Sequence, residues 1–112
     1  MNIRVLETAL YVENLDRSEK FYRELFGFVK GGTTNGEEVP GGVIPPHDAN
    51  GEIHLCFAVE KDDLDEWKRV LASRDVEIIS TVYPPRGGTS IYFRDPDGHL
   101  IELATPGIWE IY

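Results

Sequence analysis

Cysteine is almost missing from this chain: Cys56 stands alone among 112 residues. No internal disulfide can form, so the composition suits a reducing, cytoplasmic setting. Basic charge is also scarce, with 11 Lys and Arg against 20 Asp and Glu and a net charge of -9. That balance opposes any general attraction to nucleic-acid phosphate or anionic lipid, so no nucleic-acid or membrane partner is expected. Long hydrophobic runs are lacking, and the opening "MNIRVLETALYV" has no basic stretch leading into an apolar one. It reads as neither a targeting signal nor a membrane span. Also missing are the spacing of a phosphate-binding glycine loop around the Gly-Gly pairs at 31–32, 41–42 and 87–88, and any Ser/His/Asp arrangement.

What remains is enough for one domain over residues 1–112 that buries a core unaided. Residues 3–12, "IRVLETALYV", carry the Ile, Val, Leu and Tyr and the partial alternation of a strand. The period then changes to that of a helix. Asp16 and Glu19 resemble a capping box, Phe21, Tyr22, Leu25 and Phe26 make an apolar stripe, and Gly27 can close the C-terminus. The unit recurs 47 positions later, with "EIHLCFAVE" as strand and "DDLDEWKRVLASRD" as helix, capped by Asp62 or Asp63. Three more strand-like runs follow, "VEIISTVY", "TSIYFR" and "HLIELAT", divided by turn formers at 84–88 and 95–98. The second half is therefore expected to be a βαβββ module, with an antiparallel hairpin joining its last two strands.

The repeat predicts two similar modules, about 1–50 and 51–112. The first has no room for an equivalent tail, since residues 29–50 include eight Gly or Pro. At most "VKGGTT" or "EEVPGGVI" can give one short edge strand, the rest being loop.

Glu102 poses the chemical question. In a strand it shares a face with Leu100 and Ala104 while His99, Ile101 and Leu103 take the other, so an acid stands among apolar residues on both faces. If buried, it needs a cation, a hydrogen-bond partner or a proton; an exposed edge, or pairing with Arg94, is the structural alternative. The 47-residue offset matches His54 to Glu7, two lone-pair donors that would face one another across an axis relating the modules. Imidazole with carboxylate makes an N/O site suited to Mn, Fe(II), Co, Ni or Zn. Cys56 shares His54's face and reads as a small buried apolar residue, and His47 in "IPPHDANG" as a solvated loop side chain.

Three stretches, "LETALYVENLDRSEKFYRELFGF", "IHLCFAVEKDDLDEW" and "RGGTSIYFRDPDGHLIELATPG", resemble the vicinal oxygen chelate superfamily, which includes glyoxalase I, bleomycin-resistance proteins, fosfomycin-resistance enzymes and extradiol dioxygenases. The resemblance implies an α+β fold of paired βαβββ modules, here with the first module truncated by about two strands. It also implies metal ligands on the first strand of each module and the last strand of the second, which correspond to Glu7, His54 and Glu102. Many relatives have His where Glu7 stands, so this set would be harder and more anionic.

The expected function is that of a metal-dependent enzyme of this superfamily, with lyase, isomerase or dioxygenase chemistry on a small oxygen-bearing substrate. A divalent ion (Zn, Ni, Co, Mn or Fe(II)) would act as Lewis acid and Glu102 as catalytic carboxylate. The missing strands would leave unpaired edges, for which a homodimer is the natural remedy. The rival readings are a metal-free protein that sequesters a small molecule, as bleomycin-resistance proteins do, and an inactive truncated or engineered scaffold.

Overall fold

The computed structural model describes residues 1–31, 38–39 and 41–112. Helix α1 spans Leu15–Phe26; it is followed by two short strands, β1 (Glu38–Val39) and β2 (Gly42–Val43). The second half contains β3 (His54–Ala58), a 3₁₀ turn at Lys61–Asp63, α2 (Leu64–Ser73), β4 (Ser80–Val82), β5 (Ser90–Arg94) and β6 (Leu100–Ala104). This is the βαβββ order expected of the second module.

The helices end where their sequence chemistry dictates, with two corrections. The α1 cap is Asn14 rather than Asp16: its side chain accepts from the Arg17 N–H at 3.0 Å. Asp16 instead lies in the first turn, where a negative charge favours the helix dipole. Asp63 holds the cap position of α2, yet it makes no side-chain capping bond, because its backbone continues the preceding turn instead of adopting the extended form a cap requires. Gly27 closes α1 as expected, at φ 71°, donating its N–H to the Arg23 carbonyl at 2.9 Å.

Strands β3 to β6 form one sheet in the order β3-β6-β5-β4. The β5–β6 hairpin is antiparallel with Arg94 opposite Leu100, whereas β3 runs parallel to β6 with His54 opposite Leu100. The module's first strand thus lies beside its last. Ile91 and Phe93 of β5, Ile101 and Leu103 of β6, Leu25 of α1 and Leu64 and Leu71 of α2 make the core, which covers one sheet face with both helices. Phe26 joins the helices to β3 through its ring contacts with Phe57 and Trp67, at 4.9 and 5.7 Å between centroids. By strand parity the opposite face carries His54, Cys56 and Ala58, then Leu100, Glu102 and Ala104, then Ser90, Tyr92 and Arg94.

The first module differs most from expectation. Residues 3–12 form no strand: Ile3 is 99%, Val5 85% and Leu6 86% exposed, and among the described residues no strand pairs with them. Alternation is only a disposition to pair, and without a ladder partner it builds nothing. The tail after α1 supplies the two-residue pair β1 and β2, with Glu38 opposite Val43, inside the "EEVPGGVI" run. Residues 29–31 of "VKGGTT" are unpaired, and 32–34 lie outside the described residues. In "VEIISTVY" only Ser80–Val82 pair; Val76 and Ile78 pack against the core instead.

What locks the N-terminal half to the sheet is the Asp95–Gly98 turn. Buried Asp95 accepts from the N–H groups of Asp97 and His99, both at 2.9 Å, and from the Tyr22 hydroxyl at 2.9 Å. Asp97 accepts from the Glu13 N–H at 2.9 Å and the Ser18 hydroxyl at 3.1 Å. Buried His99 accepts at Nδ1 from the Ile53 N–H (3.0 Å) and donates from Nε2 to the Tyr11 carbonyl (2.7 Å). His99 therefore points away from Glu102, as parity requires, and has a structural task.

Candidate metal centre on the open sheet face

Parallel pairing of β3 with β6 brings His54 next to Glu102. His54 Nε2 lies 3.0 Å from Glu102 Oε2, and Nδ1 lies 3.1 Å from the Leu100 carbonyl oxygen. A carbonyl only accepts, so Nδ1 carries the proton and donates it there. In a neutral ring the lone pair is then at Nε2, directed at the carboxylate; in a charged ring Nε2 donates to it. Two acceptors facing each other at 3.0 Å need a proton or a cation between them. Glu102 is 7% exposed and His54 is open to solvent, so the pair sits at the surface of the sheet with one wall buried.

The donor set fits a divalent ion in part. A ligating imidazole whose other nitrogen is anchored on a backbone carbonyl is the arrangement that fixes tautomer and ring orientation at metal sites. Nitrogen and carboxylate oxygen from His54 and Glu102 suit borderline and hard first-row ions alike. Glu7 does not join them within the chain: it is exposed in the N-terminal segment, and among the described residues no three His, Cys, Asp or Glu side chains converge. Nor does Arg94 neutralise Glu102; its guanidinium donates to the Gly98 carbonyl at 2.9 Å and reaches Glu52 at 3.5 Å.

Two further groups surround the carboxylate. Tyr92 is directly opposite Glu102 in the β5–β6 ladder, and its ring stacks on His54 at 6.2 Å between centroids. Desolvation, then the hydrogen bond and charge of Glu102, push its phenol up. The place of Tyr92 beside Glu102 was not read from the sequence, although the hairpin register that puts 94 opposite 100 also puts 92 opposite 102. Cys56 is opposite Glu102 on the other side. It is exposed rather than buried, and its thiol is pushed up to about 12, first by desolvation and then by the Glu102 charge. A thiol so protonated is a poor nucleophile. His47 stands apart from the centre, hydrogen-bonded to the Tyr11 hydroxyl with the two rings edge-on.

Comparison with known proteins agrees on fold and family. The sequence profile of the Glyoxalase/Bleomycin resistance protein/Dioxygenase superfamily matches residues 4–103. The metallothiol transferase FosB of Shouchella clausii is 30% identical over 84% of this chain and 74% of its own. The FosB of Lysinibacillus sphaericus is 31% identical over 94% of this chain and 84% of its own. Among solved structures, the lactoylglutathione lyase of Agrobacterium tumefaciens superposes with a TM-score of 0.81 at 28% identity, covering 98% of both chains. With the profile spanning nearly the whole chain and the βαβββ module in place, this protein belongs to the glyoxalase/bleomycin resistance protein/dioxygenase superfamily.

Proposed function

We propose that this chain is a metal-dependent enzyme of its superfamily, with Glu7, His54 and Glu102 as ligands of a divalent ion and a small oxygen-bearing molecule as substrate. The observation that carries this reading is the His54–Glu102 pair, whose imidazole Nε2 and carboxylate oxygen stand 3.0 Å apart on the open sheet face with room for a proton or a divalent ion to join them. When bound, the ion would supply Lewis-acid polarisation of a substrate carbonyl or hydroxyl. The remaining work belongs to side chains. Leu100 holds the imidazole in orientation through its carbonyl, and the buried wall around Glu102 restricts water. The Glu102 carboxylate is placed to take or return a substrate proton, and the Tyr92 phenol, kept protonated, can donate to a substrate oxygen.

Glu7 enters this site from a second copy of the chain. The exposed, alternating segment 3–12 has no partner strand among the described residues of its own chain, while β3 is a sheet edge with the site upon it. A homodimer that pairs the two would complete a three-donor set. The names of the similar proteins, a metallothiol transferase and a lactoylglutathione lyase, support metal-centred chemistry on small substrates. A reducing, cytoplasmic setting belongs to the same reading.

The test is metal analysis of protein purified without chelator, beside His54→Ala and Glu102→Gln. Near-stoichiometric metal in the parent, with affinity at least tenfold lower in each variant, is expected. Unchanged metal affinity in Glu102→Gln, or no metal in the parent even after loading, would instead favour a metal-free binding protein or an inactive scaffold.

A further inference from the structure

The sheet face opposite His54 and Glu102 is covered by the two helices, and they leave a groove between them. Leu25 of α1 with Trp67 and Val70 of α2 lines its wider part, a cavity of about 260 Å³ that Asp63 and Glu66 complete. Asp63, Glu66, Trp67 and Val70 stand at i, i+3, i+4 and i+7, so one stripe of α2 supplies both the apolar wall and the acids. Trp67 is half-buried there, its ring in contact with Phe26. Past Leu25 lies a narrower cavity of about 90 Å³ between Phe21, Glu24, Arg74 and Val76. From Asp63 to Arg74 the groove follows about 16 Å of helix, or about three turns.

The acids along this groove are not all neutralised by the chain itself. Lys68 holds Asp65 at 3.3 Å and Arg74 holds Glu24 at 3.4 Å, but Asp63 and Glu66 are exposed and form no ion pair among the described residues. The helix dipole accounts for acids in the first turn of α2, but not for the apolar groove that they border. We infer that this groove is a docking surface for a basic, amphipathic helix of another protein. A three-turn helix presents apolar side chains at i, i+4 and i+7, which suit two successive cavities divided by Leu25. Lysines or arginines beside that stripe meet Asp63 and Glu66, and one of them can lie over the Trp67 ring. A second copy is the wrong occupant: it brings another charge of -9, and its exposed segment 3–12 offers Arg4 alone against Glu7. Anionic lipid and nucleic acid are repelled in the same way. Because the groove and the His54–Glu102 pair lie on opposite faces of the sheet, a docked helix leaves the open face free.

The probes are synthetic peptide amides of about twelve residues. One carries leucine at i, i+4 and i+7 flanked by lysine, a second has glutamate for each lysine, and a third has the residues of the first in scrambled order. Each is titrated into the intact protein, with NMR shifts followed at the indoles of Trp67 and Trp109. The lysine peptide should bind at least about tenfold more tightly than either of the others, and shift Trp67 rather than Trp109. Asp63→Asn with Glu66→Gln should weaken it at least about fivefold. Reversing both charges, Asp63→Lys with Glu66→Lys, should turn the preference to the glutamate peptide; should that pair weaken α2, whose first turn favours acids, the neutral pair still decides. Chelator treatment should leave the affinity unchanged, which keeps this result apart from the metal centre. Equal affinities for the lysine and scrambled peptides would mean a general attraction to an acidic protein and overturn the inference. So would an affinity untouched in the neutral pair, or shifts confined to Trp109. A Trp67 shift that grows with protein concentration alone would assign the groove to a second copy instead.

Discussion

Cys56 and Tyr92 flank Glu102 from neighbouring strands, and both feel its charge. The thiol gives a direct reading of that charge. With its value near 12, Cys56 should react with iodoacetamide at pH 8 at least about tenfold more slowly than a free cysteine, although it is exposed. Glu102→Gln should speed the reaction; an unchanged rate, measured by mass spectrometry, would show that the carboxylate is not what restrains the thiol. At this scale the sequence was informative where chemistry is local. A carboxylate amid Leu100, Ile101, Leu103 and Ala104 marks itself, and strand parity correctly turned His99 away from it. Tyr92 was less visible because an aromatic residue in a strand is most simply core, and only the register across the hairpin reveals what it faces.

The elements stand or fall on a few polar contacts. Replacing Asn14 with Ala removes the α1 cap and should cost about 1 kcal/mol in urea unfolding. Tyr22→Phe, which takes a hydroxyl from buried Asp95, should cost about 2 kcal/mol, since the acceptor is charged. Asp97 adds a pH dependence. The Glu13 N–H, then the Ser18 hydroxyl and Arg17, hold its carboxyl below the ordinary 3.8. A group depressed on folding stabilises the fold above its unfolded value, and that contribution is lost as pH falls through the folded one. The stability gap between the parent and Asp97→Asn should therefore be full at neutral pH and shrink below pH 3.8; a gap that widens in acid would contradict the contact. Both helices and the β5–β6 hairpin were legible because their periodicity, Gly27 and the Asp95–Gly98 turn are local signals. Segment 3–12 was not, because pairing depends on what lies beside a strand and a sequence window contains only the strand itself.

At the scale of the whole molecule, the chain does not close on itself. Its radius of gyration is 16.3 Å, where a compact chain of this length would have ~13 Å. No helix among the described residues is long and apolar enough to cross a membrane. If Glu7 is donated by a partner copy, the variants Glu7→Gln and His54→Ala should each bind metal poorly, yet refolding them together should restore about a quarter of the sites. Metal analysis of the mixture checks this directly. Recovery of none would place all ligands in one chain or dispense with Glu7.

The position of β6 has one further consequence. It is the strand that bridges β3 and β5, and at Leu100–Ala104 it follows both of them in the chain. During synthesis β3 emerges before β6 and must wait, without its parallel neighbour, until β6 has also left the ribosome. The nascent chain can build its helices and the β4–β5 pairing in that interval, but the four-stranded sheet cannot assemble. A ribosome halted before Leu100 would therefore display an open, chaperone-accessible intermediate, and the emergence of β6 would be the step that commits the sheet to its fold.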